Sequence, residues 1–219
     1  MLISIYHPDI MNIDLLFKRL KKIFPENVFV EPNDPFEVLI YTIISQRTRD
    51  EQTDAATESL LSFFPSAKDL AKADVKDIEK LIKKAGFYRV KAKKIKEVCG
   101  ILEEKYNGKV PDDFDSLMDL PSVGRKTANC VLVFGFGKKA IPVDIHVHRI
   151  SNRLGLVKTA TPEETEQKLK EVLPKKYWLD INHMLVGFGQ SICRPINPKC
   201  NDCPVTDMCK LFIKNRKDN

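Results

Sequence analysis

The chain of 219 residues has no apolar run near the roughly 18 residues that would span a bilayer. Its longest candidate, Phe36 to Ile44, is broken by Glu37 and Thr42. A soluble protein is therefore expected, with no membrane partner. The opening residues, MLISIYHPDI, lack a basic region, a sustained apolar core and a small-residue cleavage site, so secretion is not indicated and a cytoplasmic setting is expected. Strand-like alternation is nearly absent, which leaves the all-α class. Low-complexity linkers and repeats at a solenoid period are missing too, which points to a compact protein with short connections.

Enough apolar sequence is present, 43% of residues, to bury a full core in one large or two small domains. The 36 Lys and Arg outnumber the 30 Asp and Glu, giving a net charge of +6 that suits a polyanionic partner. Helix signals dominate. Asp34-Pro35-Phe36-Glu37 and Thr161-Pro162-Glu163-Glu164 each read as an N-cap, a first-turn proline and early acids. Between Tyr88 and Tyr106, the residues Ile95, Val98, Cys99, Leu102 and Tyr106 share one face with lysines opposite, and Gly108 is the expected stop. Further helices are expected over about 10–24, 50–63, 74–85, 125–136, 145–154, 162–172 and 177–189, roughly ten in all.

The stretch LPSVGRKTAN, Leu120 to Asn129, reads as two helices joined by a tight turn, a helix-hairpin-helix. A turn opening into a helix offers unpaired N–H groups and the positive end of the helix dipole to a phosphate, through Ser122, Val123 and Gly124. Arg125 then serves as a phosphate contact that carries no sequence information. Lys126 needs another reason. An amine attacks carbon only when neutral, and at an ordinary pKa fewer than roughly one lysine in a thousand is neutral at pH 7. Desolvation, an adjacent cation and a helix amino end all favour the uncharged form, and Lys126 is placed to feel all three. The bland alternative is an ordinary helix-turn-helix with solvated cations.

Downstream, IPVDIHVHRISNRLGL places Asp144 between an extended piece and a helix that ends at Gly155. It reads as an N-cap, and a cap also fixes the direction of a carboxylate that can help deprotonate a nucleophile or stabilise positive charge on a sugar. His146 and His148, two apart, point in different directions and do not share a metal. His146 either orients the Asp144 region or touches DNA; a structural histidine is the plainer reading of both.

Of the six cysteines, Cys193, Cys200, Cys203 and Cys209 follow the pattern C-x6-C-x2-C-x5-C. Thiols in the cytosol stay reduced, so this cluster suits metal better than disulfides. Spacing alone leaves a [4Fe–4S] cluster and a four-thiolate zinc site open. Arg194 and Lys199 offer cations from the same loop to a phosphate backbone, while Cys99 and Cys130 read as small core residues.

The lysine-bearing hairpin, then V-D-x-H-V-x-R, then C-x6-C-x2-C-x5-C resembles the endonuclease III family of DNA glycosylases over nearly the whole chain. The resemblance implies an all-α, helix-hairpin-helix DNA glycosylase fold. A six-helix domain over about 28–138 would face an iron-sulfur-cluster domain made of 1–27 and 139–219. It selects [4Fe–4S] over zinc. It implies a partner, double-stranded DNA containing damaged bases or abasic sites, laid across the cleft with the damaged base flipped out. Lys126 would then attack C1′ of the sugar while Asp144 assists, and β-elimination would cut the strand. Nothing suggests more than a monomer. Three positions depart from the family pattern. Ser122 stands at the first hairpin glycine and must avoid dihedrals open only to glycine. Arg47 follows Gln46 where a small residue is usual, so either could fill the gap left by the flipped base. Phe87 stands where an intercalating leucine is common, and reads either as a wedge or as a core aromatic. The activity implied is that of a bifunctional glycosylase and abasic-site lyase acting on oxidised pyrimidines. The rivals are a mismatch-specific adenine or thymine glycosylase and a catalytically silent DNA-binding module.

Overall fold

The computed structural model describes residues 11–24 and 33–217, and within these the chain forms twelve α-helices and no strand. It divides into two compact units, Phe29–Pro142 and the discontinuous Met1–Val28 with Val143–Asn219. The expected boundary between residues 27 and 28 lies outside the described residues. The other division falls at 142–143 where 138–139 was expected. Asn129 Nδ2 donates to Ile141 O at 3.3 Å, which ties the extended stretch after the hairpin helix to the Phe29–Pro142 unit.

In the discontinuous unit, α1 (Ile13–Ile23) starts at Asn12, whose Oδ1 accepts from Leu15 N at 2.9 Å. Leu16, Phe17 and Leu20 are its buried stripe.

The Phe29–Pro142 unit is built round α2 (Pro35–Ser45), capped by Asp34 as its sequence predicts. Seven of its residues, Phe36, Val38, Leu39, Ile40, Thr42, Ile43 and Ile44, are buried, so the helix is enclosed on nearly every side. Around it run α3 (Asp50–Phe63), α4 (Ala67–Lys72), α5 (Val75–Leu81) and the long α6 (Tyr88–Tyr106). The helix expected over 74–85 ends at Leu81, where Ile82 leaves the helical conformation. The stop after Tyr106 is shared: Asn107 at φ 52 and Gly108 at φ 76 both turn left-handed, and both N–H groups donate to Leu102 O. Next come α7 (Phe114–Met118) and α8 (Arg125–Cys130). The helix expected over 125–136 changes to a π-helical turn at Val131–Gly135. Gly135 is required there because a Cβ would lie 2.9 Å from Pro35 Cα.

The discontinuous unit continues with α9 (Ile145–Leu154), α10 (Pro162–Val172), α11 (Ile181–Ser191) and α12 (Lys210–Lys217). The helix expected over 177–189 starts later, at Ile181, after a 3-10 turn at Lys175–Tyr177, and runs to Ser191. Val147, Ile150 and Leu154 of α9 join Leu185 and Phe188 of α11 in its core. α1 is tied to the cysteine region by Arg19, which reaches Pro204 O at 3.1 Å and Asp207 Oδ1 at 2.6 Å. No helix among the described residues is long and apolar enough to cross a membrane.

Candidate active site

The hairpin is anchored from inside. Asp113 Oδ1 caps α7 by accepting from Ser116 N at 2.9 Å. The turn then buries Leu120 and Val123, with Val123 N donating to Leu120 O at 3.1 Å. Ser122 between them is exposed at φ 64, in the left-handed well that serine reaches at a cost of about 1 kcal/mol. Gly124 has an ordinary φ of −95, and a Cβ placed on it would meet nothing within 4 Å. Its lack of a side chain leaves the start of α8 open, and no side chain caps that helix. Arg125 is held over the Phe114 ring, 4.7 Å from its centroid. Lys126, in the first turn of α8, is half-buried and has no hydrogen-bond or ion-pair partner among the described residues.

The turn after α2 comes to the same hairpin. Gln46, 76 positions earlier in the chain, donates from Nε2 to Ser122 O at 3.0 Å. Arg47 is exposed at φ 54, and its guanidinium lies 5.6 Å from the Phe87 ring centroid. Phe87 is itself left-handed, at φ 57, and 61% exposed, so the core alternative for this aromatic is excluded. Its turn abuts that of Arg47: Gly86 admits no Cβ, because Arg47 O would stand 2.6 Å from it. Below both turns lies Lys91, 5% exposed. Its Nζ donates to Ile44 O and Gln46 O at 2.6 Å and to Thr48 Oγ1 at 2.7 Å. Burial pushes its pKa down to about 8. The lysines of α6 were expected opposite the apolar face. Lys91 departs from that, lying on the buried stripe with Ile95, Val98 and Leu102, and its spacing to them was the available signal.

In the discontinuous unit, Asp144 is the N-cap of α9, its Oδ1 accepting from His146 N and Val147 N at 2.8 Å. Oδ2 takes no hydrogen bond among the described residues. His146 Nδ1 lies 3.2 Å from Arg149 Nη2, and its ring packs where a Cβ on Gly189 would be. His148 Nδ1 pairs with Thr165 Oγ1 at 2.6 Å. Both imidazoles have internal partners, as structural histidines do.

Two arginines of α9 clamp the cysteine loop; Arg149 closes the V-D-x-H-V-x-R stretch without having been given a role there, and Arg153 lay outside that pattern. Arg149 Nη2 donates to Cys193 O at 2.9 Å. Arg153 reaches Cys193 Sγ at 3.6 Å, Arg194 O at 2.7 Å and Pro195 O at 2.8 Å. Arg194 and Lys199 themselves project into solvent. Cys193, Cys200, Cys203 and Cys209, each partly buried, line one cavity of about 80 Å³ with Leu154 and Phe188. Burial pushes the Cys203 thiol up to about 11 and the Cys209 thiol up as well, so a metal taken up here would displace protons. As they stand, no three His, Cys, Asp or Glu side chains among the described residues close on a metal ion. Cys99 and Cys130 are buried within the Phe29–Pro142 unit.

Residues 40–175 match the family described as HhH-GPD superfamily base excision DNA repair protein. Endonuclease III of Thermotoga maritima is 50% identical over 205 residues, 94% of this chain and 95% of that protein. Endonuclease III homolog 2, chloroplastic, of Arabidopsis thaliana is 43% identical over 85% of this chain and 51% of its own length. The solved structure of a trapped endonuclease III–DNA covalent intermediate superposes with a TM-score of 0.84 at 35% identity, covering 93% of this chain and 97% of that one. By its hairpin, its helical fold and these relatives, the chain belongs to the HhH-GPD superfamily and, within it, to the endonuclease III family of base excision DNA glycosylases and abasic-site lyases.

Proposed function

We propose that this enzyme removes oxidised pyrimidines from double-stranded DNA as a cytoplasmic monomer, with Lys126 as the nucleophile. The observation that carries the reading is a half-buried lysine without a partner among the described residues, in the first turn of the helix that leaves the hairpin. The neutral Nζ adds to C1′ as the bond from C1′ to the base breaks, and the base leaves with that electron pair and takes up a proton. The adduct nitrogen gives up a proton, the C1′–O4′ bond opens with O4′ taking up a proton, and the imine so formed makes the C2′ proton acidic. Loss of that proton expels the 3′ phosphate, which is β-elimination, and water then releases the lysine.

Asp144 helps to deprotonate the attacking amine and to balance the positive charge that develops on the sugar. The support is its orientation: two backbone N–H groups hold Oδ1 and so fix the carboxylate. Ser122, Val123, Gly124 and Arg125 would grip a phosphate, Gln46, Arg47 and Phe87 would enter the stack, and Arg194, Lys199 and His146 would contribute outer contacts. Cys193, Cys200, Cys203 and Cys209 would hold a [4Fe–4S] cluster. Four thiolates round one zinc ion, at about 2.3 Å each, would leave no space between them, whereas these four border a cavity. The cluster would supply four iron–thiolate bonds that close the loop.

The test is borohydride reduction during reaction with a duplex carrying one thymine glycol. A covalent adduct with the wild-type chain, and loss of both adduct and strand nicking in Lys126→Ala, are expected. A wild-type enzyme that nicks the strand but never forms an adduct would remove Lys126 from the mechanism.

A further inference from the structure

We propose that Lys91 is the positioning residue for base extrusion, acting through the two turns that it joins. The inference rests on the reading that Gln46, Arg47 and Phe87 enter the DNA stack. These three residues sit in turns, with all three side chains exposed. Arg47 and Phe87 both occupy the left-handed region, which non-glycine residues enter only under strain, and both side chains are exposed. Beneath them the support is polar and buried. The Lys91 ammonium has three donors, and all three are used, on Ile44 O, Gln46 O and Thr48 Oγ1. Thr48 Oγ1 in turn accepts from Gly86 N at 3.1 Å, at the start of the second turn. One amine thus holds the end of α2, the Gln46–Thr48 turn and, through one hydroxyl, the Gly86–Phe87 turn. Gly86 completes the junction by letting Arg47 O approach within the space of a methyl group.

A wedge is useful only while the duplex resists extrusion, because unstacking and unpairing a base costs a few kcal/mol that a held side chain must offset. Lys91→Met keeps the stem and removes the donors. In single-turnover excision of thymine glycol, its rate should fall about tenfold when the lesion is paired with adenine. It should stay within about twofold when the same lesion sits in an unpaired bubble, where extrusion costs little. General destabilisation of the fold would lower both rates alike, and equal losses would overturn the proposal. Gln46→Ala and Phe87→Ala are run beside it. If they show the paired-only loss and Lys91→Met does not, Lys91 has no positioning role; if none of them shows it, the wedge reading itself has failed. Should Lys91→Met not fold, Thr48→Val cuts the link between the two turns and decides the matter: a smaller paired-only loss supports the proposal, and an equal loss on both substrates sinks it.

Discussion

The α2 core and the cysteine loop are stabilised by opposite means. Around α2 the enclosure is apolar: Leu39, Ile40, Ile43 and Ile44 are almost wholly buried, and the polar groups of the adjoining turn are anchored on that core by Lys91. The loop from Cys193 to Cys209 has short 3-10 turns, three prolines and few buried side chains. Its order comes from guanidinium clamps on Cys193, Arg194 and Pro195 and from four sulfur atoms facing one cavity. Water exclusion can build the first kind of region without help. On the proposed reading the second kind would depend on metal–thiolate bonds, because a short loop buries too little surface to offset its conformational entropy.

Breaking a ligand should therefore have the largest effect. Cys203→Ser is expected to lose most of its iron and the order of the discontinuous unit, on the scale of the roughly 10 kcal/mol that structural metal sites contribute. Iron assay, visible absorbance and limited proteolysis check this, and full iron occupancy in the variant would refute the ligand assignment. Leu39→Ala should cost about 2 to 5 kcal/mol by leaving a cavity, read from urea unfolding, while the iron content stays unchanged. That difference in kind would sharpen the comparison. Loss of iron in Leu39→Ala would blur it.

The smallest effect concerns pH. Lys91 loses its proton near pH 8 in the fold, but only near the ordinary value of about 10.4 in the unfolded chain. Between those values the unfolded chain binds more protons, so stability should rise with pH across the window, by at most about 3 kcal/mol before solvent screening reduces it. The penalty is fully present below about pH 8 and gone above about 10.4. Urea melts at pH 7.5, 9 and 10 should show that rise, and Lys91→Met should lack it. A parallel profile in the variant would mean that another group titrates.

Much of the helical layout was legible. Asp34, Asp144 and Thr161 accept the cap bonds that their positions predicted, because a cap depends only on residues two or three apart. The helices α4 and α12 were not anticipated, although Ser66 caps the first, and α7, capped by Asp113, was anticipated only as the first helix of the hairpin, without bounds. Six or five residues carry too little periodicity to stand out. The π-helical turn at Val131 ends at Gly135, which lies against Pro35, far away in sequence, and such a contact leaves no local trace.

Local spacing, by itself, settled that the chain is helical and where the caps at Asp34, Asp144 and Thr161 lie, and it singled out the lysine, carboxylate and cysteines proposed to carry the chemistry, because those patterns are short-range and chemically narrow. Only the tertiary structure decided that Gln46 reaches Ser122, that Phe87 is exposed, that Arg149 and Arg153 clamp the cysteine loop, and that Lys91 turns inward to three acceptors. Each of these joins residues at least 41 positions apart or depends on which face of a helix is buried, and both are properties of packing.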